Sequence, residues 1–161
     1  MDASCANLRN VDDLDLALRM AHVADEITQT AFAAKTFATH LKDDGTPVTD
    51  ADVAVEEELA RLVARHRPDD AVLSEELGAR GRSQRTWIID GTASFARGGT
   101  GWGTLIALQV DNDVAVGVAT SPGLGRRWWA ARGSGAWTAP LSPTSSRTQA
   151  HRLSVSRTPV R

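Results

Sequence analysis

The chain has 161 residues, 42% of them hydrophobic, and a formal net charge of −2 from 18 basic and 20 acidic residues. This length and composition are typical of one globular domain with its own core. With a net charge near zero, the chain has no overall field that would attract it to nucleic acid or to an anionic membrane. Cys5 is the only cysteine, which excludes an internal disulfide and a cysteine-based zinc cluster. With no signal segment and no apolar run of membrane-spanning length, we expect a soluble cytoplasmic protein that acts on small molecules.

A long amphipathic helix is predicted from Asp12 to about Phe37. Apolar side chains recur there at intervals of three and four residues, as one face of a helix requires. These positions are Leu16, Met20, Val23, Ile27 and Ala31. Asp12 and Asp13 are expected in its first turn, near the positive end of the helix dipole. The segment 42–47, with Gly45 and Pro47, is expected to be a polar loop after the helix.

A second helix is predicted over residues 50–66. Thr49 followed by Asp52 resembles a capping box, and residues 56–58 place three glutamates early in the helix. The buried face is predicted at Val55, Leu59, Leu62 and His66.

Short apolar runs separated by turn residues predict strands in the second part of the chain. The runs are 71–73, 86–89, 105–110, 114–120 and 126–131. The turn at 111–113 predicts an antiparallel hairpin. The fold class is therefore α+β, with two long helices packed on a mostly antiparallel sheet.

The character of the sequence changes after Gly133, because the stretch 138–146 is rich in helix and strand breakers. No acidic residue follows, so the end of the chain is basic. We expect one domain over 1–137 and a flexible basic tail over 138–161, in which only 152–156 alternates enough to form another strand.

Three segments place carboxylates where a strand or loop ends, namely 46–52, 74–76 and 87–92. Oxygen ligands of this kind suit Mg²⁺, which keeps octahedral geometry and several waters. The step Asp90-Gly91-Thr92 also offers backbone N–H groups that a phosphate can approach. Taken singly, each segment is more often a solvated turn or a helix cap; their combination in order favours a site.

These segments resemble the motifs of the inositol monophosphatase family. The family pattern P-V-T-x-x-D corresponds to residues 47–52, G-E-E to 74–76, and W-x-x-D-P-x-D-G-T-x-x-F to 87–95. Residues 104–108, 117–118 and 126–133 are most similar to actinobacterial histidinol-phosphate phosphatases. The likeness extends from about Leu14 to Ser156.

The resemblance implies a magnesium-dependent phosphomonoesterase built as the N-terminal half of an αβαβα sandwich. It implies Glu75 and Asp90 as metal ligands, and Glu75, Thr92 and Asp52 as the catalytic group that orients water. The amides of Gly91 and Thr92 would hold the phosphate, and Lys42 would lie at the outer edge. The implied substrate is a small phosphorylated alcohol, histidinol phosphate first and inositol phosphate second, with no nucleic-acid or membrane partner; a homodimer is left open.

Two departures from the family pattern bear on activity. The family's Asp-Pro-x-Asp-Gly-Thr is shortened here to Asp90-Gly91-Thr92, so three residues and one of two paired aspartates are absent. Asp90 replaces either the first or the second aspartate, depending on the anchor chosen. Family members also have a second half that supplies a further aspartate ligand. The alternative is therefore a catalytically inactive fragment or a partner-binding module.

Other motifs have simpler interpretations. The glycine-rich run 98–103 lacks the Gly-Lys-Ser/Thr of a phosphate loop, so a turn is favoured. The run 126–129 contains two arginines and two tryptophans that are able to stack on bases, but a strand that buries its tryptophans is favoured. The four histidines show no metal-ligand spacing.

Overall fold

The computed structural model of the chain describes residues 3–35, 38–43, 45, 47–91, 101–141 and 150–154, with only the backbone described over 3–11. It contains two α-helices, ten strands and one short 3-10 helix, Pro122–Leu124, in these ranges. The elements are α1 (Ala3–Ala34), β1 (Thr39–Leu41), β2 (Pro47–Thr49), α2 (Asp50–His66), β3 (Ala71–Ser74), β4 (Gly78–Arg80), β5 (Arg85–Gly91), β6 (Thr104–Val110), β7 (Asp113–Ser121), β8 (Arg126–Ala131), β9 (Gly135–Pro140) and β10 (His151–Arg152).

Eight strands form one sheet in the order β10-β9-β8-β7-β6-β5-β3-β4, while β1 and β2 form a separate antiparallel pair. Every pair in the large sheet is antiparallel except β3 with β5. Both helices pack on the same sheet face, α1 over β6 to β8 and α2 over β5 and β3. The predicted class, two helices on a mostly antiparallel sheet, is confirmed.

Helix α1 begins at Ala3, nine residues before the predicted start at Asp12. Residues 3–11 contain no glycine or proline, so no residue there interrupts the helix. Asp13 consequently lies inside the helix, where it is buried. The helix ends at Ala34, and Lys35 has the left-handed φ of 50° that often follows a helix. No helix in the described ranges is long and apolar enough to cross a membrane.

The buried face of α1 is rich in small side chains. Leu16 and Met20 are buried as predicted, but Val23 and Ile27 are only partly buried. Alanines fill the centre of the contact instead, and they let the helix axis approach the sheet closely. The fully buried alanines are Ala17, Ala21 and Ala24.

Helix α2 starts with the predicted capping box, in which Asp52 accepts from the backbone N–H of Thr49 at 2.9 Å and its own N–H reaches the Thr49 hydroxyl. Val55 and Leu59 are buried as predicted. His66 is exposed, so its predicted burial is wrong. It is the last helical residue, and Val63 completes the buried face one turn earlier.

The turn at 111–112 joins β6 and β7 as predicted. Asp111 and Asn112 have φ values of 53° and 67°, as in the type I′ turns that suit twisted hairpins. Near the end of the chain, β9 runs through the predicted domain boundary between residues 137 and 138. The strand expected over 152–156 is found at His151–Arg152, residues 153–154 are not strand, and 155–156 lie outside the described residues.

Buried ion pairs connect the helices to the sheet. Asp25 of α1 accepts from the Thr120 hydroxyl at 2.8 Å and pairs with Arg127 of β8. Asp13 pairs with Arg67 and Arg85, each at 3.0 Å. Arg85 in turn pairs with Asp70, which also accepts from the indole N–H of Trp87 at 2.8 Å. These contacts fix α1 across the sheet and tie the end of α2 to the start of β5.

Candidate active site

Two predicted site residues meet because β3 and β5 run parallel. Ser74 pairs with Ile89, and the next residues along each strand are Glu75 and Asp90. Parallel strands bring their carboxyl ends to the same edge of a sheet, so the two carboxylates lie side by side. Periodicity alone did not indicate this parallel pairing, because β4 intervenes in the chain but lies on the far side of β3.

The carboxyl groups of Glu75 and Asp90 are within hydrogen-bonding reach of each other. Partial burial raises the pKa of Asp90, and the negative charge of Glu75 raises it further, while Lys42 acts in the opposite direction. Two carboxylates this close repel each other unless they share a proton or a cation. The pair therefore has the electrostatic character of a cation site.

Lys42 provides positive charge at this edge. Its Nζ lies 2.6 Å from Oε1 of Glu75 and 2.6 Å from Oε1 of Glu76. These two contacts raise the pKa of Lys42 above its usual value, so the ammonium is charged throughout the neutral range. The resemblance implied that Lys42 lies at the outer edge of the site. The structure places its ammonium in direct contact with the carboxylates of Glu75 and Glu76.

Glu56 is a residue that the motifs did not single out. Its side chain is buried, and its Oε2 accepts from the backbone N–H groups of Glu76 at 2.9 Å and Leu77 at 3.2 Å. Burial raises the pKa of Glu56, and these amide donors act in the opposite direction. Glu56 thus holds the turn that carries Glu75. A signal was present in the sequence, because a carboxylate beside Val55 and three residues before Leu59 falls on the buried face of α2.

Asp52 and Gly91 lie next to each other. A methyl group built on Gly91 would lie 3.4 Å from Oδ1 of Asp52, while Oδ2 of Asp52 accepts from the backbone and hydroxyl of Thr49. The cap of α2 therefore orients a carboxylate toward the end of β5. Thr92, the other residue predicted to bind phosphate, lies outside the described residues.

The donor set is small for a metal centre. No group of three or more His, Cys, Asp or Glu side chains within the described ranges is arranged to hold a metal ion. Glu75 and Asp90 offer two carboxylates at one point, which suits one divalent cation that keeps several waters. The arrangement is able to bind a cation and orient water or an anion, provided that Lys42 moves aside.

The other motifs have structural roles. Gly103 lies so close to β7 that an added methyl group would be 2.3 Å from the Thr120 carbonyl oxygen. Residues 98–100 of the same glycine-rich run lie outside the described residues. The run 126–129 lies in β8, as predicted, with both tryptophans half-buried and Trp129 packed against the core.

Comparison with known proteins identifies close relatives. The family model of the inositol monophosphatase family matches residues 9–161. The histidinol-phosphatase of Mycobacterium tuberculosis is 49% identical over 149 residues, which are 90% of this chain and 55% of that protein. The histidinol-phosphatase of Streptomyces coelicolor is 42% identical over 154 residues, 91% of this chain and 56% of that protein.

The fold of this chain is also similar to that of solved structures in the same family. The inositol monophosphatase from Anabaena superimposes with a TM-score of 0.65 at 26% identity, covering 82% of this chain and 48% of that one. The chain thus spans about half the length of the relatives it matches. The match of motifs, sheet topology and sequence over most of the chain leads to one assignment: this chain belongs to the inositol monophosphatase family.

Proposed function

We propose that this chain is a magnesium-dependent phosphomonoesterase of the histidinol-phosphatase type, acting in the cytoplasm. The observation that supports it is the meeting of Glu75 and Asp90 at the edge where β3 and β5 end. The names of the relatives from Mycobacterium tuberculosis and Streptomyces coelicolor favour histidinol phosphate over inositol phosphate.

Each residue has a proposed part in ester hydrolysis. Glu75 and Asp90 would hold magnesium, which when bound activates water and neutralises charge on the phosphate. Glu75 and the hydroxyl of Thr92 would orient the water, and Asp52 would hold Thr92 in place, as the resemblance implies. The amides of Gly91 and Thr92 donate to the phosphate oxygens. Glu56 keeps Glu75 in position through its bonds to the following turn.

Turnover should be low, because two carboxylates support one metal ion at most. Two-metal hydrolysis stabilises both the attacking and the leaving oxygen. Loss of one charge-stabilising group costs about a hundredfold or more in rate. We therefore expect at least about a hundredfold less activity than a site with both aspartates of the family motif.

The second candidate is a catalytically inactive module of the same fold that binds a partner. The contact of Lys42 with Glu75 and Glu76 favours it, since an ammonium already neutralises the carboxylates.

Phosphate release from histidinol phosphate and inositol 1-phosphate, with and without magnesium, separates the two candidates. If the chain is an enzyme, we expect slow, magnesium-dependent phosphate release that Glu75→Gln abolishes. The control Glu57→Gln, at an exposed position of α2, should leave this release intact. Inserting Pro-Ile-Asp between Asp90 and Gly91 restores the family spacing and should raise the rate. No release from either ester by the native chain and by the insertion variant would support the inactive module.

A further inference from the structure

A cavity of about 320 Å³ lies at the end of the sheet where β3 and β5 begin. We call it the charged cavity, because the described residues that line it are Asp12, Asp13, Arg67 and Arg85. The two aspartates belong to α1, Arg67 follows α2, and Arg85 begins β5. Asp90 lies near the other end of β5, about 17 Å away for five residues at about 3.3 Å each. The charged cavity is therefore separate from the candidate active site.

Two guanidinium groups are held side by side in the charged cavity. Nε of Arg67 and Nη2 of Arg85 each lie 3.0 Å from Oδ1 of Asp13, so both groups meet at one carboxylate oxygen. Arg85 also pairs with both oxygens of Asp70, and Nη1 of Arg67 donates to the carbonyl of His66. Nη2 of Arg67 and Nη1 of Arg85 donate to no acceptor among the described residues. The two side chains are 29% and 30% exposed, so these nitrogens are available to a ligand.

The charged cavity also contains carboxylate oxygens that lack a partner. Asp12 is exposed and forms no ion pair in the described part of the chain, although two arginines line the same cavity. Oδ2 of Asp13 is buried and accepts no hydrogen bond from any described residue. Buried acceptors are nearly always paired with a donor. A ligand that brings a hydrogen-bond donor to this cavity is therefore favoured.

These charges select a ligand that carries both signs. The remaining guanidinium nitrogens suit a carboxylate, which arginine binds with good geometry. The unpaired oxygens of Asp12 and Asp13 suit an ammonium group. A simple anion would be repelled by Asp12, and a simple cation would be repelled by the two arginines.

An α-amino acid carries a carboxylate and an ammonium on the same carbon atom. The cavity volume of about 320 Å³ is at the lower end of the range for ligand pockets, so the side chain of the ligand should be short. We propose that the charged cavity is a binding site for a free α-amino acid with a short side chain, such as glycine, alanine or serine. This binding does not require the proposed phosphatase activity.

Trp87 provides a reporter beside the charged cavity. Its indole N–H donates to Oδ2 of Asp70 at 2.8 Å, and the same oxygen accepts from Arg85. When L-alanine is titrated into the isotope-labelled full chain, we expect a saturable shift of the Trp87 indole signal in NMR spectra, with a dissociation constant on the order of 1 mM. The indole signals of Trp128 and Trp137, on β8 and β9, should not move. L-alaninamide and N-acetyl-L-alanine each lack one of the two charges and should bind at least about tenfold more weakly.

Two pairs of variants test the two halves of the site. Asp12→Asn removes the partner of the ammonium and should weaken alanine binding at least about fivefold. Asp69→Asn is its matched control, because Asp69 is exposed at the same end of the molecule and does not line the cavity. Arg67→Lys can still pair with Asp13 but has one nitrogen instead of three, so it should also weaken binding at least about fivefold. Arg65→Lys, at an exposed position of α2, is the control for this change. Circular dichroism confirms that all four variants fold.

Three results would overturn the proposal. The first is the absence of a saturable shift with glycine, L-alanine and L-serine, each up to about 50 mM, well above the expected dissociation constant. The second is binding of N-acetyl-L-alanine as tight as that of L-alanine, which would show a site for anions alone. The third is an affinity for alanine that Asp12→Asn leaves unchanged.

Discussion

Glu56 gives the most direct test of how the site is held. One of its two carboxylate oxygens, Oε2, accepts from two backbone N–H groups in the turn after β3. Glu56→Gln keeps an oxygen at the same reach and can retain both bonds without the charge. Glu56→Ala removes the acceptor and leaves both amides without it.

The magnitude follows from the two bonds. Hydrogen bonds to a charged acceptor contribute about 1.5–3 kcal/mol each. Burial raises the pKa of Glu56, so removal of the desolvated charge offsets part of the loss. We expect Glu56→Ala to lower the free energy of unfolding by about 2–4 kcal/mol and Glu56→Gln by less than about 1 kcal/mol.

Urea denaturation followed by circular dichroism measures both values. Glu57→Ala is the matched control, since Glu57 is 47% exposed on the same helix and pairs with the exposed Arg61. Its cost should stay within about 0.5 kcal/mol. If Glu56→Gln costs as much as Glu56→Ala, the charge and not the acceptor is what matters. If Glu56→Ala costs no more than the control, the turn does not depend on Glu56.

Three further predictions concern the buried charge, the glycine contact and the lysine. Burial raises the pKa of Asp25, so the folded state binds its proton more tightly than the unfolded state, and stability from this group rises as pH falls through the folded pKa. The stability of the native chain relative to Asp25→Asn, measured by urea denaturation, should therefore increase as the pH is lowered from 7 toward about 4, the ordinary pKa of an aspartate. Gly103→Ala should cost about 1–3 kcal/mol by its clash with β7, whereas Gly101→Ala, where an added methyl group has open space, should cost under about 1 kcal/mol in the same assay. Lys42→Met removes the competing ammonium and should tighten magnesium binding about tenfold by calorimetry; equal or weaker binding would contradict competition by Lys42.

Local patterns predicted both α-helices and strands β3, β5, β6, β7 and β8, but they did not predict β1, β2, β4 or β9. The capping box at Thr49, the turn at Asp111-Asn112 and the alternating strands are set by residues close together in the chain. The predicted start of α1 at Asp12 was wrong because residues 3–11 contain no glycine or proline that would mark where the helix begins. The burial of His66 was wrong because periodicity does not show where a helix leaves the core.

Only part of the site could be predicted from the sequence. The motifs predicted that Glu75, Asp90 and Thr92 converge. Glu75 and Asp90 lie close together, and Thr92 lies outside the described residues. The contact between Lys42 and Glu75 joins residues 33 positions apart in the chain. The role of Glu56 depends on how α2 lies against β3. Both contacts are results of tertiary packing. Spacing along the chain places Glu56 on the buried face of α2, but it does not indicate the partners of Glu56 or of Lys42.

The long-range bonds of α1 set the order in which this chain can be assembled during synthesis. Asp25 is 95 residues from Thr120 and 102 from Arg127, its partners on the sheet. At about 5–20 residues per second, a ribosome needs roughly 5 to 20 s to make that interval. Throughout this time the sheet against which the apolar face of α1 packs is incomplete. The β6–β7 hairpin, in contrast, pairs residues that lie close together in the chain. Helix α1 can therefore complete its bonds to the sheet only after β8 has been made, although it can pack against α2 well before then.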